Sequence, residues 1–139
     1  MTAKEYLNRI HGYKQNLDKL QESLEFLYAK ASGIKAITYD KDRVQVSPEN
    51  KFESYMVKID AVAEKYAKML FIYSETLTEG TERIMNMKNA TYSKVLLLRY
   101  IDGLRWEEIA CKMNYSFRHV TRLHGSALAA FGAQYKDVL

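Results

Sequence analysis

The apolar positions of this chain fall into two long, regular seams. Tyr6, Ile10, Tyr13, Leu17, Leu20, Leu24, Leu27 and Ala31 are separated by alternating steps of four and three residues. Phe52, Tyr55, Ile59, Val62, Tyr66, Met69 and Tyr73 alternate in the same way. A heptad stripe of this kind keeps one face of a helix apolar along its length, so the pattern predicts two long, coiled-coil-like helices. Thr2-Ala-Lys-Glu5 reads as a capping box that starts the first,. Ser32-Gly33 is its expected stop, and Gly80 the expected stop of the second. Thr81–Lys88 then reads as a separate short helix. Residues 33–50 break the period with charges and the sole proline. They read as a loop with a short extended piece at Val44–Val46. Ser47-Pro48-Glu49 supplies an N-cap, a first-turn proline and a first-turn acid. Two matched seams joined by one loop predict an antiparallel hairpin, or seams that pair with a second subunit; periodicity does not choose between them.

After a connection at residues 89–91 the pattern shortens. One helix is expected from Tyr92 to about Ile101, with Val95, Leu96, Leu97 and Leu98 making a strongly apolar surface. Asp102-Gly103 turns the chain. A second helix runs from about Trp106 to Met113, with Trp106, Ile109, Ala110 and Met113 on one face. Asn114-Tyr115-Ser116 is a tight turn whose Ser116 caps a third helix. There Val120, Leu123, Ala127, Leu128 and Phe131 recur at helical steps and face inward. The fold class expected is therefore all-α. A helical hairpin over residues 1–88 serves oligomerisation or partner binding, and a helix-turn-helix unit covers residues 89–139.

Composition narrows the function classes. Of 139 residues, 47% are apolar and 27% charged, enough for both a core and a solvated surface,. Cys111 is the only cysteine, so neither an internal disulfide nor a thiolate metal site is expected,. No apolar run approaches the ~20 residues of a membrane span. The opening MTAKEYLNRI lacks the apolar core of a signal peptide. A cytoplasmic location is expected. No Gly-rich phosphate loop is present, and Glu107-Glu108 are neighbours on a helix that diverge by about 100° and so do not converge on one substrate. His119 and His124, five apart, do not share a face as metal ligands. No enzyme activity, cofactor or metal is expected.

Charge placement says more than the net +4. The first 90 residues are nearly balanced, whereas residues 91–139 carry seven Lys/Arg against four Asp/Glu. From Ile109 to Lys136 there is no acid. The stretch NYSFRHVTRLHGSALAAF, residues 114–131, therefore stands out. In a helix-turn-helix the start of the last helix enters the major groove,. Arg118, His119, Thr121 and Arg122 lie there, next to Phe117. Arginine bonds bidentately to guanine, and His and Thr make single contacts. Ser116, Lys112 and Arg105 are candidates for phosphates, which position without specifying. His124, one turn further on, suits a phosphate contact or a hydrogen-bonded structural role equally. Gly125 beside it is a candidate for a close helix approach.

These residues also carry a resemblance. YSKVLLLRYIDGLRWEEIACKMNYSFRHVTRLHGSALAAF resembles region four of the sigma-70 family, the part that binds the −35 promoter element there. The matching pieces are Leu98–Tyr100, Gly103-Leu104, Glu107-Glu108-Ile109-Ala110 and the Ser116 to Val120 start of the third helix. MTAKEYL, DRVQVS and RHVTRLHGSAL together resemble small phage and prophage proteins of Gram-positive bacteria, similar to late-gene transcriptional regulators, over nearly the whole chain. The resemblance implies sequence-specific binding to double-stranded DNA in a bacterial host, control of phage transcription and contact with RNA polymerase. Arg105 stands where sigma factors usually have a capping Thr, and Arg118 where they usually have an acid. No counterpart of the region that melts the −10 element is present. Because helix-turn-helix proteins commonly bind as dimers, a homodimer through the N-terminal helices is expected. Two other classes compete: a packaging adaptor resembling a small terminase subunit, which would form a ring, and a module that contacts RNA polymerase or another protein without binding DNA.

Overall fold

The computed structural model describes residues 1–37 and 48–139, and the side chains of all of these but 34–37, 48 and 49. Five α-helices follow in order: α1 (Ala3–Ile37), α2 (Pro48–Met85), α3 (Ala90–Leu96), α4 (Trp106–Met113) and α5 (Phe117–Gln134). Among the described residues there is no strand. The fold is all-α, as the periodicity requires. The expected extended piece at Val44–Val46 and the Ser47 cap lie outside the described residues.

The capping box forms as the spacing predicts. Thr2 N–H donates to Glu5 Oε2 at 2.7 Å, and Glu5 N–H donates to Thr2 Oγ1 at 3.2 Å,. Donation from the Thr2 backbone N–H, and then from the Thr2 side chain, holds the Glu5 carboxyl below its ordinary pKa. Both expected helix stops are overrun. α1 continues through Ser32-Gly33 to Ile37, and α2 through Gly80 to Met85, so Thr81–Lys88 is not a separate helix. A single glycine costs a helix only about 1 kcal/mol relative to Ala, too little to end one that packing supports. Gly80 has a packing reason: a Cβ there would collide with Ile10 Cδ1. It is a close contact of α2 with Ile10 of α1, not a terminus. Gly12 is likewise passed within α1.

The described chain divides into two compact units. Met1–Lys14 with Ile72–Leu139 form one, and Gln15–Phe71 the other. The boundary expected at residues 89–91 falls inside the first unit. Asn89 there caps α3, its Oδ1 accepting from Thr91 N–H at 2.9 Å and Tyr92 N–H at 3.2 Å. In the first unit the opening turns of α1 share a core with the last helices. Ala3, Tyr6, Leu7 and Ile10 pack with Ile84, Met87, Leu96, Tyr100, Ala127 and Phe131. Leu7 is fully buried although it lies off the heptad seam. Tyr6 stacks on Phe131 with ring centroids 5.9 Å apart. Tyr135 Oη donates to Arg83 O at 2.7 Å, tying the chain after α5 to the end of α2.

A second, smaller core is made by Leu98, Ile109, Ala110 and Val120, with Leu104, Trp106 and Met113 against it. One element serves both cores. After Leu96 the helix does not continue regularly to Ile101 as expected: Leu97–Ile101 widens into a π turn, where Asp102 N–H reaches Leu97 O at 3.0 Å. The widened turn changes the side-chain phase. Leu96 and Tyr100 point into the first core while Leu98 points into the second.

In the second unit, Gln15–Phe71, the facing parts of α1 and α2 bury only Leu17, Ala31 and Ile59 among the described side chains. Leu20, Leu24, Leu27, Val62, Tyr66 and Met69 keep part of their surface in solvent.

Gly80→Ala gains up to about 1 kcal/mol of helix propensity but overpacks a filled site, at a cost of about 1–3 kcal/mol. The expected result is a net loss of stability in urea unfolding. Ile10→Val deletes Cδ1, so the double variant should lose less than the sum of the two single changes.

Candidate nucleic-acid interface

The candidate interface is built by α4, the turn after it, and the first turns of α5. Ile109, Ala110 and Val120 are buried between the two helices. α4 ends in a Schellman-type cap: Tyr115 N–H donates to Ala110 O at 3.0 Å and Asn114 N–H to Cys111 O at 3.3 Å,. Asn114 takes the left-handed conformation this cap needs, with φ of 61°. The chain reverses at once, and Ser116 Oγ accepts from His119 N–H at 3.1 Å to cap α5. A helix, a three-residue turn and a second helix are thus locked by local hydrogen bonds and one shared core.

That lock leaves the outer face to polar groups. Arg105, Lys112, Ser116, Phe117, Arg118, His119 and Arg122 are all exposed. Phe117, at 50% exposure, is an apolar side chain that the fold leaves uncovered. The His119 ring is held edge-on against Tyr115, centroids 4.6 Å apart. Thr121 is half-buried, and its hydroxyl donates to Arg118 O at 2.9 Å, which leaves its lone pairs to accept,. Arg118 and Arg122, four apart, lie on one side of α5, toward the helix end with positive macrodipole charge. Gly125, one turn on, is also exposed, and a Cβ there would meet nothing within 4 Å, so it serves no close helix approach.

Arg105 and Lys112 lie at opposite ends of α4. Arg105 Nε is 3.0 Å from Glu108 Oε1 in a largely exposed pair. Such a pair is worth about 0–1 kcal/mol and yields readily to a better anion.

His124 stands apart from this group. Its Nε2 shares a 2.8 Å hydrogen bond with Tyr100 Oη. Its ring meets the Trp106 indole edge-to-face at 4.5 Å. Of the two roles open to it in the sequence, the geometry is that of the hydrogen-bonded structural histidine, which separates it from the exposed contacts. Burial, with the nearby charges of Lys4 and Arg99, lowers its pKa from 6.5 to about 4. The tyrosine hydroxyl facing it is pushed up, also by burial. Trp106 is packing, as its position on the apolar face of α4 implies.

Arg99 is a basic residue that the spacing does not single out. Its guanidinium lies 4.4 Å from the Trp106 ring centroid, and Nη1 donates to Leu104 O at 3.0 Å. The arginine therefore holds the loop before α4. Its signal in the sequence is only an arginine one turn before Gly103, which any solvated helix end shares. Cys111 is an exposed free thiol. Among the described residues, no group of His, Cys, Asp or Glu is arranged to hold a metal ion, and no helix is long and apolar enough to cross a membrane. No protein-family model, curated protein or solved structure matches the chain.

The His124 environment has a definite pH signature. Its folded pKa of about 4 lies below the unfolded value near 6.5, so the unfolded chain binds the proton first,. The stability it contributes is complete above pH ~6.5 and is lost as pH falls toward 4. Thermal melts should show that loss, on the order of 2 kcal/mol given the partial exposure of the ring. In His124→Gln, which keeps a hydrogen-bonding side chain without titrating, that component should be missing. Parallel pH profiles for the two proteins would exclude the assignment.

Proposed function

We propose that this chain is a sequence-specific binder of double-stranded DNA that regulates transcription, with α5 reading the major groove. One observation carries the reading: the start of α5 presents exposed Arg118, His119 and Arg122, with half-buried Thr121 among them, beyond a locked helix-turn-helix, in an acid-free stretch. A merely solvated helix would be expected to mix its charges, whereas a polyanion rewards their single sign. Arg118 and Arg122 supply base-edge contacts, with His119 and Thr121 as single bonds. Phe117 suits apolar contact with a thymine methyl. Ser116, Lys112 and Arg105 hold phosphates. The protein acts by binding and carries out no chemistry of its own. Its resemblance to sigma region four and to small phage regulators agrees with this reading and extends it to control of phage genes and to contact with RNA polymerase.

A homodimer through the second unit belongs to the same proposal. Two helices that bury so few side chains between them are marginal alone, because helices of this kind gain most of their stability from packing. A second copy would cover the half-exposed seam residues and present two recognition helices to paired half-sites.

The test is selection from a random duplex pool at two salt concentrations, with sequencing. The expected result is an enriched motif whose binding weakens steeply with salt, and paired half-sites if the dimer forms. Arg118→Ala and Arg122→Ala should each cost about 1–3 kcal/mol and relax the motif at separate positions. Binding without enrichment would favour a packaging or architectural role instead. No binding at low salt, or full affinity in both arginine variants, would overturn the DNA reading and favour a protein-interaction module.

A further inference from the structure

A polar cleft lies beside the start of α4, outside the helix-turn-helix itself. Asn8 and His11 of α1, Arg99 and Tyr100 of the π turn, and Gly103 and Arg105 of the following loop enclose about 240 Å³. Its walls carry two guanidiniums, an imidazole and an amide, and none of these lining residues is a carboxylate. Lys4 adds a positive charge on the same side of α1, four residues before Asn8, close enough to act on His124. Arg99 is fixed in place by Trp106 and Leu104 O, and a guanidinium carries five donors, so it keeps others to offer,. Arg105 is the N-cap residue of α4 but makes no side-chain cap bond. Arginine has no acceptor to cap with; its Nε bonds Glu108 Oε1, and no N-cap side chain satisfies the helix end,.

We infer that this cleft grips a backbone phosphate of bound duplex DNA, so that α1 is part of the DNA interface. The inference rests on the DNA-binding reading above and deepens it. The cleft's volume is below the ~300–1,000 Å³ of pockets that enclose a whole small molecule, which suits a single phosphate group with its waters and not a nucleotide. Its position selects the source of that phosphate. In a helix-turn-helix the helix before the recognition helix crosses the DNA backbone, and the cleft opens where that helix, α4, begins. Asp102 and Glu108 are the nearby acids on the loop and on α4. Glu108 is already engaged with Arg105 in an exposed pair that a phosphate can displace,.

The test is duplex binding by full-length His11→Glu, followed by fluorescence anisotropy across a salt series. Ala90→Glu, which adds the same charge to exposed α3 outside the cleft, is the control. A carboxylate at position 11 would occupy the arginines in place of phosphate. The expected result is a loss of affinity of about tenfold on specific and random duplexes alike, and a salt slope reduced by about one. The selected motif should be unchanged and the melting temperature equal or higher. Ala90→Glu should leave the slope as it is. Wild-type slope and affinity in His11→Glu, while Arg118→Ala still weakens binding, would overturn the cleft and leave the DNA reading standing. Equal losses in both glutamate variants would reduce the effect to net charge and also overturn it. Failure of the unaltered protein to bind any duplex would overturn both. A final arm adds inorganic phosphate at constant ionic strength. Stabilisation of the wild type by phosphate, together with normal duplex binding by His11→Glu, would assign the cleft to the free ion and overturn the inference.

Discussion

Burial of the first three turns of α1 against Phe131 and Ala127 of α5 is the contact on which the first unit depends. Ala3, Tyr6, Leu7 and Ile10 cover the side of α5 that the helix-turn-helix leaves open. Phe131 has no exposed surface, and Tyr6 stacks directly on it. An isolated α3–α5 segment would leave these faces in water, at a cost of about 1.5–3 kcal/mol for each large apolar side chain. The beginning and the end of the chain therefore stabilise each other. The close approach of Gly80 to Ile10 serves the same contact from α2.

The segment that includes the π turn at Leu97–Ile101 joins this core to the second one. Successive residues of a helix point to different sides, so one short apolar segment can reach two cores. Leu96 and Tyr100 pack in the core shared with α1 and α5, and Leu98 in the core shared with α4. α5 is gripped twice, at Val120 in the small core and at Ala127 and Phe131 in the large one. Both grips use its inner side. The outer side at Arg118 and Arg122 is thereby given a fixed direction without any contact of its own. His124 sits between the grips, and its low pKa is the electrostatic consequence of packing an imidazole under Trp106 and Tyr100 near two cations.

The second unit follows different physics. Its helices are long and regular, yet their seam side chains are mostly half-covered. Phe26, Val57 and Phe71 are 60%, 69% and 64% exposed. Propensity and periodicity suffice to make the helices, whereas a dry core needs more partners than one neighbouring helix supplies. Association through this unit would give those side chains their missing neighbours.

The sequence alone determined the all-α class, the capping box at Thr2, the limits of α4, the Ser116 cap and the inward positions of α5. Each of these rests on neighbours within four or five residues, where side-chain spacing and hydrogen-bonding type are sufficient causes. The exposed placement of Arg118, His119 and Arg122 was legible for the same reason, since it is the complement of an apolar stripe. Tertiary structure decided the rest. Gly80 read as a helix stop because local propensity is blind to the packing at Ile10 that carries α2 past it. Leu7 was invisible because its partners lie more than seventy residues away. The role of His124 was open until Tyr100 and Trp106 came beside it, and the cleft of Asn8, His11, Arg99 and Arg105 exists only because α1 returns to the start of α4. Contacts between distant segments arise from how faces fit in three dimensions, and no local pattern encodes that fit.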